Sequence, residues 1–308
     1  MKRWGPVAAL LAATLFWAGN YVFAAEAVHT VDAWSLSILR WAPAAVILLT
    51  LGAIIERPDW RLVITRLPRL AIMGCLGMIG FGSLLYIGLN TTTAVSASLI
   101  GSLSPALIAI AAVIFLRERA GWRTFAGLPI ALAGVALVVS KGSIETFTHL
   151  KITEGDLWVI LATVSWTAYT MLGRKPLGIP ALTSTGVQAA VATIVLAPIV
   201  IVNGLHVPET TEVWLIVAFI TIFPSVGSYL LWNIAIRSFP AANAGIFLNL
   251  IPVFTVVIAV MIGKSIEVAE IIGGLLVLGG VLLATIPRRR RAAEPEEVEA
   301  AEEPAPPA

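Results

Sequence analysis

Apolar residues fill this chain in helix-length blocks, and short polar segments separate them. The blocks lie near 6–27, 34–55, 69–89, 93–116, 123–140, 155–173, 181–203, 213–234, 241–263 and 269–286. Each is close to the roughly 20 residues that a helix needs to cross a bilayer. The ten-residue alternating strands of a membrane barrel are not seen. The pattern predicts an all-α polytopic membrane protein with ten transmembrane helices.

The blocks divide into two sets of five. FWAGNYVFA (16–24) is loosely copied by SWTAYTMLG (165–173), which matches Trp17 to Trp166. SPALIAIAAV (104–113) lines up with IPVFTVVIAV (251–260), which matches Pro105 to Pro252. Gly127 and Gly134 match Gly273 and Gly280. Three landmarks in one order predict a duplicated chain, with repeats at 6–141 and 153–287. An odd number of spans per repeat makes the second repeat enter the membrane from the opposite side. That is an inverted-topology pair, an architecture suited to alternating access.

Composition and charge agree with this reading. The chain is 58% hydrophobic and 12% charged, against about 25% charged in soluble domains. With the N-terminus in the cytoplasm, one side holds Lys2, Arg3, Arg57, Arg61, Arg66, Arg69, Arg117, Arg119, Arg123, Arg174, Lys175, Arg237 and Arg288 to Arg291. The other side holds Lys141, Lys151 and Lys264, and only Arg40 is left inside a span. This follows the positive-inside rule and predicts both termini in the cytoplasm of a bacterial-type inner membrane. The segment from Lys2 to FAAEA also has the layout of a signal peptide, but the repeat uses it as a working helix. Cys75 is the only cysteine and reads as a small buried residue. The tail 288–308, basic then acidic and rich in Pro and Ala, predicts disorder.

LFWAGNYV, then LSPALIAIAAVIFLRERAGWRTFAGLPIALAGV with Glu118 in the turn between helices, then a degenerate second copy, resembles the EamA family of the drug/metabolite transporter superfamily. The resemblance covers roughly residues 6–287. It implies a ten-helix carrier that exports amino acids, aromatic ones among them, or other small metabolites. The second copy has Lys264 near the position of Glu118, so that feature is not repeated.

Polar residues at membrane depth are costly unless they line a cavity or pair. Trp17, Asn20 and Tyr21 share one helical face at i, i+3 and i+4. Trp166, Tyr169 and Thr170 repeat that spacing. These faces, with Tyr86, Ser102, Tyr229, Trp232 and Asn249, are the candidate substrate wall. Pro105 and Pro252 each free a carbonyl one turn back and predict a kink or gate. The Gly pairs of the fifth and tenth blocks predict close packing, or an oligomer contact. Arg40 has three readings: an ion pair with Glu26 across the first hairpin, snorkelling outward, or contact with a substrate carboxylate.

No Asp or Glu sits at the centre of any span. That disfavours a proton-coupled export of lipophilic cations similar to that of the small multidrug resistance proteins, which belong to the superfamily this chain resembles. A single buried cation disfavours nucleotide-sugar and other polyanionic cargo. His29, His149 and His206 lack metal-ligand spacing, and no Walker loop or dinucleotide fingerprint is found. The expectation is a carrier of neutral or zwitterionic metabolites, not an enzyme. No cofactor, metal or nucleic acid is expected. The expected partners are the lipid bilayer and a small-molecule substrate, and the chain works as a monomer or homodimer. A drug carrier, and a non-transporting scaffold or sensor, are the alternatives.

Overall fold

The computed structural model describes residues 4–116, 122–139, 153–173, 177–236 and 246–285. The boundary 141–152, the turn holding Glu118, His149 and the tail 288–308 lie outside them. The described residues form ten helical rods and no strand. α1 is Trp4–Ala27, and α2 is Ala33–Leu51, extended by a π turn, Gly52–Glu56. The short helix Trp60–Thr65 leads to α3, which runs through Leu67–Gly74, π-helical Cys75–Ser83 and Leu84–Gly88. α4 has two pieces, Ala94–Gly101 and Ser104–Leu116. Then come α5 (Trp122–Val139), α6 (Glu154–Gly173) and α7 (Ala181–Asn203). α8 passes from Thr211–Ile220 through π-helical Thr221–Gly227 to Ser228–Ile236. α9 opens with a 3-10 turn, Ile246–Asn249, and continues as Leu250–Met261. α10 is Val268–Thr285.

Six rods, α1 to α4, α7 and α8, are long and apolar enough to cross a membrane. Shorter apolar stretches occupy the other rods: Pro129–Val138 in α5, Phe247–Met261 in α9 and Val268–Leu283 in α10. α6 spans 20 residues but is more polar, with Glu154, Asp156, Thr163, Ser165, Thr167 and Thr170. The bundle's outside carries large exposed apolar side chains such as Ile54, Phe115, Ile194, Ile201 and Leu215. In water such a surface would aggregate, whereas lipid tails solvate it.

Helix starts are set by local chemistry. Asp32 accepts from the Trp34 and Ser35 N–H groups at the start of α2. At α6, Thr153 and Asp156 form a capping box, each side chain accepting from the other's backbone N–H at 3.1 Å.

Packing joins the first five rods to the second five. α1 lies against α8 and α9, and α6 lies against α3 and α4. α2 runs along α7, and α5 along α10. Exchanging every rod for the one five places on leaves these pairings unchanged. The α5–α10 contact is extensive and close. A Cβ at Gly134 would lie 2.6 Å from the Gly273 carbonyl oxygen, and one at Gly280 would lie 2.5 Å from that of Gly127. The small-residue faces expected to allow an oligomer contact therefore meet each other within one chain.

Polar ties gather at both ends. At one end Thr92 donates to Asp156 at 2.5 Å and Thr93 to Glu270 at 3.0 Å. His206 meets Asp32 there, and Lys264 pairs with Glu26 at 2.7 Å. At the other end Glu56 accepts from the Leu182 and Thr183 N–H groups and from the Thr183 hydroxyl.

Candidate functional site: a central aromatic cavity

The irregularities of α3, α4 and α9 reach one cavity, and that of α8 lies directly behind its wall. α3 and α8 carry π segments, while α4 and α9 break just before Pro105 and Pro252. The cause at α4 is visible. Pro105 lacks an N–H, so the Gly101 carbonyl has no helical donor, and the Ser104 hydroxyl donates to it at 2.6 Å. At α8, Pro224 leaves the Ile220 carbonyl without its helical donor. The Ser225 hydroxyl donates to that carbonyl at 2.7 Å. Such breaks open helices where side chains or ligands must approach.

The cavity is about 120 Å³, several times the roughly 10–15 Å³ that one enclosed water needs. Trp17, Asn20 and Tyr21 line it from α1, and Ser102 and Pro105 from α4. Trp166 lines it from α6, Tyr229 from α8, and Asn249 and Pro252 from α9. The i, i+3, i+4 face of α1 is thus fully used. Of its counterpart on α6, only Trp166 reaches the wall.

The remaining aromatic candidates stand one layer back. Trp232 packs on Trp17 at 5.6 Å between ring centroids, and Tyr169 packs on Trp166 at 5.0 Å. They brace the indoles rather than line the space. Trp17 is further fixed by its indole N–H, which donates to the Pro224 carbonyl at 3.1 Å. Phe81 packs on Trp166 at 5.0 Å. Tyr86 is fully buried, and its hydroxyl donates to Asn20 Oδ1 at 2.9 Å.

Arg40 corrects an expectation. It does not pair with Glu26, which is held by Lys264. Its side chain points into the bundle instead, and Arg40 lines the cavity. Nε donates to Ser225 Oγ at 2.6 Å and Nη1 to Tyr86 Oη at 2.7 Å. Both hydroxyls spend their own protons elsewhere, on Ile220 and Asn20, so each offers a lone pair to the guanidinium. The Trp41 ring lies under the charge, 4.4 Å from Cζ to its centroid, an attractive cation–π arrangement. Pro224 is thus the start of a chain of causes: freed carbonyl, oriented Ser225, anchored Arg40.

Sequence reasoning missed Trp41, Phe81, Gly77, Gly82 and Gly101 on the wall. Gly101 had a readable signal, a glycine just ahead of a Ser–Leu–Ser–Pro break. A Cβ there would lie 2.7 Å from the Tyr21 hydroxyl. Trp41 carried no signal beyond its neighbour Arg40.

An all-helical bundle with an apolar exterior and an aromatic central cavity defines a polytopic membrane protein with room for a small molecule. The EamA-like transporter family model matches residues 4–140 and again 153–286. The chain belongs to that family, within the drug/metabolite transporter superfamily. It is 38% identical to the uncharacterized transporter YyaM of Bacillus subtilis (strain 168), over 70% of this chain and 72% of the relative. It is 28% identical to an uncharacterized transporter of Archaeoglobus fulgidus, over 90% of this chain and 96% of that one. A protein of Streptantibioticus cattleyicolor named probable terminal-alkyne amino-acid exporter is 28% identical, over 96% of this chain and 99% of its own length. A solved crystal structure shares the fold with a TM-score of 0.63 at 20% identity, covering 92% of this chain and 97% of that one.

Proposed function

We propose that this transporter exports small neutral or zwitterionic metabolites, amino acids with aromatic or other apolar side chains first among them. In this reading ten spans form two inverted halves, 6–141 and 153–287, with both termini in the cytoplasm of a bacterial-type inner membrane. The halves rock about the central cavity and expose it to each side in turn. The observation that carries the reading is the cavity itself. Three indoles, from α1, α2 and α6, and two phenols, from α1 and α8, surround it, and among the described residues no acidic side chain lines it. Aromatic walls suit an apolar side chain, and a wall without carboxylates gives a lipophilic cation no counter-charge. The likeness to a relative named as an amino-acid exporter points the same way.

The test is counterflow in proteoliposomes. Vesicles are loaded with unlabelled L-phenylalanine, L-leucine, uridine or tetraphenylphosphonium. Uptake of the matching labelled compound is then followed. Accelerated uptake of the amino acids alone is the expected result, and no amino-acid exchange would sink the proposal.

A further inference from the structure

Three polar groups on the cavity wall have hydrogen-bonding capacity that nothing in the described protein uses. Arg40 is 6% exposed and is bonded through Nε and Nη1. No described residue accepts from Nη2. The Trp41 indole N–H is buried, on a residue 2% exposed, and has no acceptor. It sits beside Gly82, another wall residue, whose added Cβ would lie 3.4 Å away. The Asn249 side-chain carbonyl is buried, on a residue 7% exposed, and has no donor. A buried polar group without a partner is rare in a folded protein. Two around one cavity, a donor on Trp41 and an acceptor on Asn249, beside a guanidinium stacked on the Trp41 ring with a donor to spare, form a pattern.

The charges sharpen it. A buried guanidinium needs a counter-charge, and among the described residues Arg40 meets only hydroxyls and the rings of Trp41 and Tyr86. The carboxylates of Glu26, Asp32, Glu56, Asp156 and Glu270 are each engaged elsewhere. None of them lines the cavity.

We propose that the cavity grips an α-amino acid by both ends: the carboxylate accepts from Arg40 Nη2 and the Trp41 N–H, and the ammonium donates to Asn249 Oδ1. This rests on the amino-acid reading above and makes it specific. The substrate supplies the missing negative charge and fills all three vacant hydrogen-bonding positions. Its side chain is left against Trp17, Trp166 and Phe81. A dicarboxylate or a phosphate would carry a second charge with no cation to meet it, and a simple amine would leave Arg40 unmatched.

The test is competition against labelled L-phenylalanine counterflow, using L-phenylalaninamide (no carboxylate), 3-phenylpropionate (no ammonium) and unlabelled L-phenylalanine. Each truncated analogue should compete roughly tenfold to a hundredfold more weakly, the usual penalty for leaving a buried polar group unpaired. Trp41→Phe keeps the ring but removes the N–H. It should narrow the gap between phenylalanine and its amide without narrowing that to 3-phenylpropionate. Asn249→Leu should do the reverse, and Asn249→Asp should restore preference for the ammonium. Equal competition by all three compounds, or variants that weaken all three alike, overturns the two-ended grip while leaving amino-acid export intact. If no amino acid is exchanged at all, indole fluorescence of the detergent-solubilised full chain isolates the carboxylate end. Saturable quenching by 3-phenylpropionate that Trp41→Phe weakens supports that anchor, and no quenching overturns it.

Discussion

The Tyr86 hydroxyl bridges Arg40 and Asn20: it accepts from the guanidinium at 2.7 Å and donates to the amide oxygen at 2.9 Å. Tyr86 sits on α3, Arg40 on α2 and Asn20 on α1, so one hydroxyl ties three rods beside the cavity. Tyr86→Phe keeps the ring and removes both bonds. A hydrogen bond to a buried charge contributes about 1.5–3 kcal/mol. A loss of that size is expected in thermal or denaturant unfolding, together with weaker substrate transport in liposomes. Unchanged stability would mean that the guanidinium finds another acceptor.

The α5–α10 contact makes a second prediction. Gly134 meets the Gly273 carbonyl, with no room for a Cβ, so Gly134→Val must push two backbones apart. Overpacking of this kind costs about 1–3 kcal/mol. Gly279, on the same α10, has nothing within 4 Å of an added Cβ. Gly279→Ala should be neutral or slightly stabilising, because alanine suits a helix better than glycine. A lower melting temperature for Gly134→Val but not for Gly279→Ala is the result to look for. Equal behaviour would contradict the close approach.

Asp32 predicts an acid limit on stability. Partial burial pushes its carboxyl up, but hydrogen bonds from Ser35, His206 and Trp34 outweigh that and hold it below the ordinary value of 3.8. A depressed carboxyl favours the ionised folded state. Its contribution is therefore present above the unfolded value and is lost as pH falls below 3.8 toward the folded one. Asp32→Asn keeps a helix-capping side chain but removes the charge. The wild-type melting temperature should drop more between pH 5 and pH 3 than that of the variant. Parallel curves would show that the capping carboxylate contributes nothing to acid stability.

Local spacing made the α1 face legible, because i, i+3, i+4 fixes which side chains share a side of a helix. The same rule pointed to Trp166 and Tyr169 on α6, of which Trp166 lines the cavity and Tyr169 packs behind it. Periodicity gives an azimuth, and neighbouring helices decide what lies at that azimuth. Tyr169 meets α3 at Gly77, where a missing side chain admits its ring. The proline breaks were legible too, since a missing N–H is a property of one residue. The π segment of α3 was not, because nothing at Cys75 distinguishes five residues per hydrogen bond from four, and Pro224 marked a disturbance in α8 without specifying a π segment. Arg40 was visible as an anomaly, but its partners were not. Ser225 is 185 residues away and reaches it only because α2 lies against the π segment of α8. The glycine faces of α5 and α10 announced close packing without naming the partner. Only the fold showed that each is the other's.

Glu26 offers the sharpest contrast with Arg40. Sequence proximity across the first hairpin suggested that the two charges pair, yet Glu26 meets Lys264 at 2.7 Å. The Glu26 and Lys264 side chains are 44% and 56% exposed. An exposed pair of this kind is screened by water and salt and contributes about 0–1 kcal/mol. Glu26→Gln should therefore lower stability only slightly, by an amount that shrinks further at high salt, and leave transport near the wild-type rate. Arg40→Gln removes a buried group that holds Ser225 and Tyr86, and should cost far more in both stability and transport. Pairing of the two residues predicts the opposite: Glu26→Gln would expose the buried charge and damage the protein nearly as much as Arg40→Gln. Melting curves and counterflow rates for the two single variants and the double variant decide between these. Independent effects that add in the double variant fit the observed geometry, and strong non-additivity would restore the pair.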